Sequence, residues 1–238
     1  MELTGQLVEI FKDQAAEVVK QNSLSYWAEM LKNFNEITEE EVIDSLCYFC
    51  DVIDNTSESK NEDTVLQLMN KYVEIVQSNH GQSEDVKNTV AYGFGEFAYF
   101  LPKDKYASFL PKACGFIKKI TRVDGAFTDE HIIATENAMG ALAKIAYKHI
   151  DGTNVTEEDL IGVLGQMPLK ADENENMKSH SILIAELHDA TSVVNTSAAV
   201  NQAAKEAIIR MKQHLAEQGD DPETKILNAE SKIAIQQM

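Results

Sequence analysis

Long apolar runs, cysteine, proline and basic charge are all scarce in this chain of 238 residues. No stretch approaches the ~20 apolar residues that a membrane-spanning helix needs. The opening Met1-Glu2-Leu3-Thr4-Gly5-Gln6 carries no basic segment and leads into no apolar run, so a secretory signal is not expected. Three cysteines, an odd number, read as thiols of a reducing compartment rather than a disulfide framework. Four prolines and 11 glycines are too few for a collagen-like chain, and 44% hydrophobic residues are too many for a disordered one. Lys and Arg total 21 against 39 Asp and Glu, a formal net charge of -18. Such a field repels nucleic acid and anionic lipid and attracts basic partners. The expectation is a soluble intracellular protein that binds no nucleic acid and inserts in no membrane.

What the chain does have is helical periodicity. Leu7, Ile10, Phe11, Ala15, Val18 and Val19 recur at spacings of three and four, as an apolar stripe on a helix requires. The same spacing links Val42, Ile43, Leu46, Phe49, Cys50 and Ile53, then Val86, Val90, Phe94, Phe97 and Ala98. It returns in Phe109, Ala113, Phe116, Ile117 and Ile120, and in Ile133, Asn137, Gly140, Ala141, Lys144 and Ile145. No run alternates apolar and polar residues as a strand would. Helix starts are marked by Thr38-Glu39-Glu40-Glu41, Ser83-Glu84-Asp85, Thr128-Asp129-Glu130 and Thr156-Glu157-Glu158-Asp159, each a hydroxyl followed by carboxylates. Asp124-Gly125 and Asp151-Gly152 follow helical stretches, where glycine can take the left-handed conformation that ends a helix. The pattern predicts an all-α chain of about ten helices.

Segments beginning near Glu41, Asp85, Glu130 and Asn176 share an apolar layout at a spacing of roughly 45 residues, the period of HEAT-type hairpins. The expected architecture is a single array over residues 1–238. Residues 1–35 would form a first hairpin, 36–194 the central repeats and 195–238 the C-terminal helices, about five hairpins in all. Pro111 falls inside an otherwise helical run, Tyr106 to Ile120, and is expected to kink it. Gly93 and Gly95 sit mid-helix at about 1 kcal/mol each relative to Ala, a cost that close packing of stacked helices would justify.

Particular residues resemble a known family. Ser83-Glu84-Asp85-Val86-Lys87 followed by Ala91-Tyr92-Gly93-Phe94-Gly95 is similar to the inner-helix signature of HEAT repeats in the importin-β (karyopherin-β) nuclear transport receptors. Ala134-Thr135-Glu136-Asn137-Ala138, leading to Ala143-Lys144-Ile145, resembles a late stretch of the importin 5 branch. Leu164-Gly165-Gln166-Met167-Pro168-Leu169-Lys170-Ala171-Asp172-Glu173 is similar to a turn between two late helices of that branch, and Cys47 to Ile53 echoes another helix. These matches are collinear from about Glu41 to Val194. The resemblance implies the C-terminal part of a nuclear import receptor, acting in cytoplasm and nucleus and binding protein cargo. It also implies that the receptor's Ran-binding repeats are not represented in this chain.

Chemical motifs are weak by comparison. Cys47-x-x-Cys50 lies inside a helical stripe with no second cysteine pair for zinc, and reads as core. The histidines form no H-E-x-x-H or similar pair; His180 and His188 share a helix face but stand roughly 12 Å apart. Gly93-x-Gly95 lacks the third glycine and the preceding strand of a dinucleotide site. Neither a catalytic residue, a metal site nor a cofactor is expected, and the chain does not read as an enzyme. Asn137 stands on an apolar stripe, where an unpaired amide costs about 1–3 kcal/mol, so a hydrogen bond to the backbone of an adjoining repeat is expected. The clusters Glu157, Glu158, Asp159 and Asp172, Glu173 are helix-start groups that are also candidates for an acidic face receiving a basic cargo peptide. Two functions follow as expectations: a cargo-binding transport scaffold, or a free-standing structural subunit of a larger assembly derived from such a receptor.

Overall fold

In a computed structural model, the described residues are 84–219, together with Leu66, Met69, Asn70, Val73, Glu74 and Gln77. The expected first hairpin, Cys47 and Cys50, the cap at Thr38 and the segment beyond Gly219 lie outside them. Among the described residues all regular structure is helical. The helices are α1 (Glu84–Phe100), α2 (Lys103–Tyr106), α3 (Leu110–Thr121), α4 (Ile132–His149), α5 (Glu157–Gln166), α6 (Glu173–His188), α7 (Val193–Thr196) and α8 (Ala198–Glu217). The chain divides into two compact units, Met1–Phe116 and Ile117–Met238, with the boundary inside α3.

In the first unit, α1 buries Val86, Val90, Phe94, Phe97 and Ala98 completely, the stripe its sequence spacing predicts, and Ala91 beside them. Gly93 and Gly95 are buried in the middle of α1. Tyr106 is fully buried; its hydroxyl donates to the Phe94 carbonyl at 3.1 Å, and burial raises its pKa well above the usual phenol range. Phe94 and Phe116 meet edge to face, ring centres 5.9 Å apart. Pro111 does not kink a helix. The chain breaks between Tyr106 and Leu110, and Pro111 is the exposed second residue of α3, where a missing N–H removes no intrahelical bond. Residues 106–120 therefore form two helices and not one bent one.

In the second unit, local signals set the helix ends. Gly125 and Gly152 take positive φ, 80° and 74°, as expected of glycines closing helical stretches. Asp151 organises the turn before α5: its carboxylate accepts from the Asn154 side chain and from the N–H groups of Thr153, Asn154 and Val155. The Asn154 amide and those backbone donors hold its pKa well below the usual carboxylate range. Thr156 then opens α5 with a full capping box: its hydroxyl accepts from the Asp159 N–H, and the Asp159 carboxylate accepts from the Thr156 N–H. At Thr128 the same sequence signal does something else. Its hydroxyl donates to the Gly125 carbonyl at 2.8 Å, and α4 starts only at Ile132.

Helix α4 packs on α5 and on α6; α5 also packs on α8; α7 bridges α6 and α8. From Ala134 to Tyr147 every residue of α4 is buried, so this helix is enclosed on all sides although it carries Thr135, Glu136, Asn137 and Lys144. A helix enclosed in this way must satisfy each polar group internally. Thr135 bonds the Ala126 carbonyl, while Glu136, Asn137 and Lys144 reach α6 and the turn before it.

Candidate functional site

The polar residues of α4 form a seam with α6. At its N-terminal end, Glu136 (5% exposed) accepts the backbone N–H groups of Lys170, Ala171 and Asp172 at 2.7, 2.7 and 3.0 Å. Three converging donors fix the α5–α6 turn on a carboxylate, a charge-assisted arrangement about twice as strong as neutral bonds. Asn137 donates to the Ile133 carbonyl and to Asp172 Oδ2 at 3.1 and 2.9 Å. Its long-range partner is a side-chain carboxylate, not the neighbouring backbone expected from the sequence. The other oxygen of Asp172 caps α6, accepting from the Glu175 N–H.

Deeper in the seam, Lys144 Nζ meets both carboxylate oxygens of Glu175 at 2.8 and 2.9 Å, and each side chain is 1% exposed. Ser179 Oγ donates to the same carboxylate at 2.8 Å. Gly140 makes room for it: a Cβ there would overlap Glu175 Oε1. At the far end Lys148 pairs with Glu186 at 2.7 Å, and Ser192 Oγ donates to Glu186 at 2.6 Å. The partners advance together along both helices, from Asn137–Asp172 to Lys148–Glu186, so α4 and α6 run parallel. Helices α5 and α8 are joined in the same sense. Ser197 Oγ donates to Glu157 at 2.6 Å near their starts, and Arg210 donates to the carbonyls of Leu164 and Met167 at 2.6 and 3.0 Å near the end of α5.

These bonds decide the fate of the acidic candidates. Asp159 binds Lys118 at 2.6 Å besides its capping role; desolvation opposes ionisation there, but the hydrogen bonds and charge of Lys118, with Thr156, leave its pKa lowered. Glu157 is engaged by Ser197, and Asp172 by Asn137 and the α6 N-terminus. Glu158 and Glu173 are exposed. The five carboxylates therefore do not act alike: three bind within the fold, and two face solvent.

Sequence spacing did not single out Glu136, Gly140 or Lys144–Glu175 as a set. The available signal was a run of polar residues in an otherwise apolar helix.

His180 on α6 is 4% exposed, and its Nε2, like Asn176 Oδ1 one turn earlier, has no hydrogen-bond partner. Burial first, and the positive field of His214 second, push its pKa down to about 4, so the ring is neutral at physiological pH. His188, expected on the same helix face, is exposed. Among the described residues no group of three or more His, Cys, Asp or Glu side chains is placed to hold a metal ion, and no helix is long and apolar enough to cross a membrane. No known family model matches the chain.

Proposed function

We propose that this chain is a protein-binding scaffold of HEAT-like hairpins, related to the C-terminal region of importin 5-type receptors and holding cargo for nuclear import. One observation carries the reading: α6 follows α4, and α8 follows α5, at the same offset of about 41 residues (Ile132 to Glu173, Glu157 to Ala198). Each later helix packs parallel to its earlier counterpart. Two-helix repeats stacked on one another would be arranged so, and their shared core would leave helix faces open to other polypeptides. Two of the stretches resembling the importin 5 branch support it further, since they fall in α4 and around the α5–α6 turn that Glu136 and Asn137 anchor.

The work proposed is binding without catalysis. Basic cargo suits a chain of net charge -18, with Glu158 and Glu173 as the candidate carboxylates that face solvent. Fluorescence anisotropy of a labelled lysine-rich nuclear-import peptide, titrated with the full chain, tests this. Saturable binding that weakens with salt and with Glu158→Gln plus Glu173→Gln is the expected result. Absent or salt-insensitive binding overturns the cargo reading. A stable cellular complex of fixed stoichiometry, carrying no cargo, would favour the scaffold-subunit role in its place.

A further inference from the structure

The connection between α3 and α4, together with the first turn of α4, exposes three large apolar side chains within eleven residues. Phe127 is 58% exposed, Ile133 48% and Val123 46%. Soluble proteins expose single apolar residues routinely, but an aromatic and two aliphatics this close in sequence ask for an explanation.

The segment is held in place. The Ala126 N–H donates to the Val123 carbonyl at 3.0 Å, and the Thr128 N–H and hydroxyl both donate to the Gly125 carbonyl at 2.8 Å. Ala126 itself is 5% exposed, and the buried Thr135 hydroxyl donates to its carbonyl at 2.7 Å. The His131 and Ile132 N–H groups close on the Thr128 carbonyl at 3.0 and 2.9 Å. Anchoring Ala126 inward leaves Phe127 directed outward on an ordered turn. A fixed aromatic anchor loses little conformational entropy on association, which is what a recognition surface requires.

Charge indicates the occupant. Asp124, Asp129 and Glu130, all exposed, lie among the three apolar residues. On the α3 side stand Lys119 and Arg122, the latter drawn toward Asp159 at 4.0 Å. A second copy of the chain would bring a further net charge of -18 against the same sign on this molecule, so self-association is disfavoured.

We infer that the α3–α4 turn is a docking surface for a segment of another protein that carries apolar side chains flanked by Lys or Arg. Phe127 is the anchor, Val123 and Ile133 the apolar border, and Asp129 and Glu130 the groups that select the basic flank. This surface stands on its own geometry, apart from Glu158 and Glu173.

A phage-displayed library of short random peptides, panned on the full chain, supplies the probes. Enriched peptides are resynthesised and measured by fluorescence anisotropy against wild type, Phe127→Ser, Val123→Ser and the pair Asp129→Asn/Glu130→Gln. The expected peptides combine apolar residues with net positive charge. They lose about tenfold or more in affinity with Phe127→Ser and several-fold with the Asp129/Glu130 pair. Their affinity for Glu158→Gln plus Glu173→Gln stays at the wild-type level, which separates this surface from the cargo reading. Phe127→Ser keeps the wild-type melting temperature, since the residue is more than half exposed; a variant that unfolds overturns the claim that Phe127 is a free anchor. Peptides lacking basic residues, or binding indifferent to both Phe127→Ser and Val123→Ser, overturn the proposal. So does a wild-type dimer that Phe127→Ser converts to monomer in light scattering.

Discussion

Alanine at position 140 should destabilise this protein, although a glycine-to-alanine change inside a helix ordinarily stabilises by about 1 kcal/mol. The reason is steric and electrostatic together. A Cβ on Gly140 would overlap Glu175 Oε1 and stand 2.6 Å from its Cδ. The carboxylate has nowhere to withdraw without breaking its bonds, because Lys144 holds both oxygens at 2.8 and 2.9 Å and Ser179 binds one of them at 2.8 Å. Moving it separates the buried Lys144–Glu175 pair, and breaking such a pair costs about 3–5 kcal/mol. Against the helix-propensity gain the net loss is about 2–4 kcal/mol. In a Lys144→Met/Glu175→Ala background neither obstacle remains, and the same Gly140→Ala change should stabilise by up to about 1 kcal/mol. Urea denaturation followed by far-UV circular dichroism measures both effects, with hydrogen–deuterium exchange of peptides from α4 assigning the transition. Gly140→Ala at or above wild-type stability in the native background would refute the account of the seam.

Three further outcomes follow from the same packing. Because the His180 pKa is about 4 in the folded state and 6.5 in a free imidazole, the unfolded chain takes up the proton first. This contribution is complete above about pH 6.5 and is lost as pH falls toward about 4, by about 3 kcal/mol in total. His180→Gln should flatten that part of the stability–pH profile, and an unchanged slope would count against burial of a neutral ring. Glu136→Gln removes the charge that gathers three backbone N–H groups, and should cost about 1.5–3 kcal/mol with faster amide exchange at Lys170, Ala171 and Asp172. Thr156→Ala should cost about 1 kcal/mol in thermal unfolding while Thr156→Ser is spared, since only a side-chain oxygen is needed to cap α5.

Helicity, the capping box at Thr156 and the left-handed glycines 125 and 152 were legible in the amino-acid order, because each depends on residues within about one turn of helix. Where local signals had two outcomes, the fold chose. Thr128 looks like Thr156 in sequence, yet it braces a turn four residues before α4 begins. Pro111 sits in an unbroken apolar pattern, but the chain opens at Ala107–Phe109 and uses the proline in a first helical turn instead.

The polar seam was out of reach of such reading. Lys144 and Glu175 are 31 residues apart, Asn137 and Asp172 are 35, and Arg210 reaches carbonyls 43 and 46 residues away. Periodicity identifies which face of a helix is apolar, but not which distant carboxylate will neutralise a lysine on it. Long-range desolvation decides that: once α4 is enclosed, every charge on it must meet an opposite charge or a row of N–H groups. The order of residues thus determined a succession of helices and those ends that a local cap or glycine marks. Only their packing determined that Glu157, Asp159 and Asp172 bind within the fold, while Glu158, Glu173 and Phe127 face solvent.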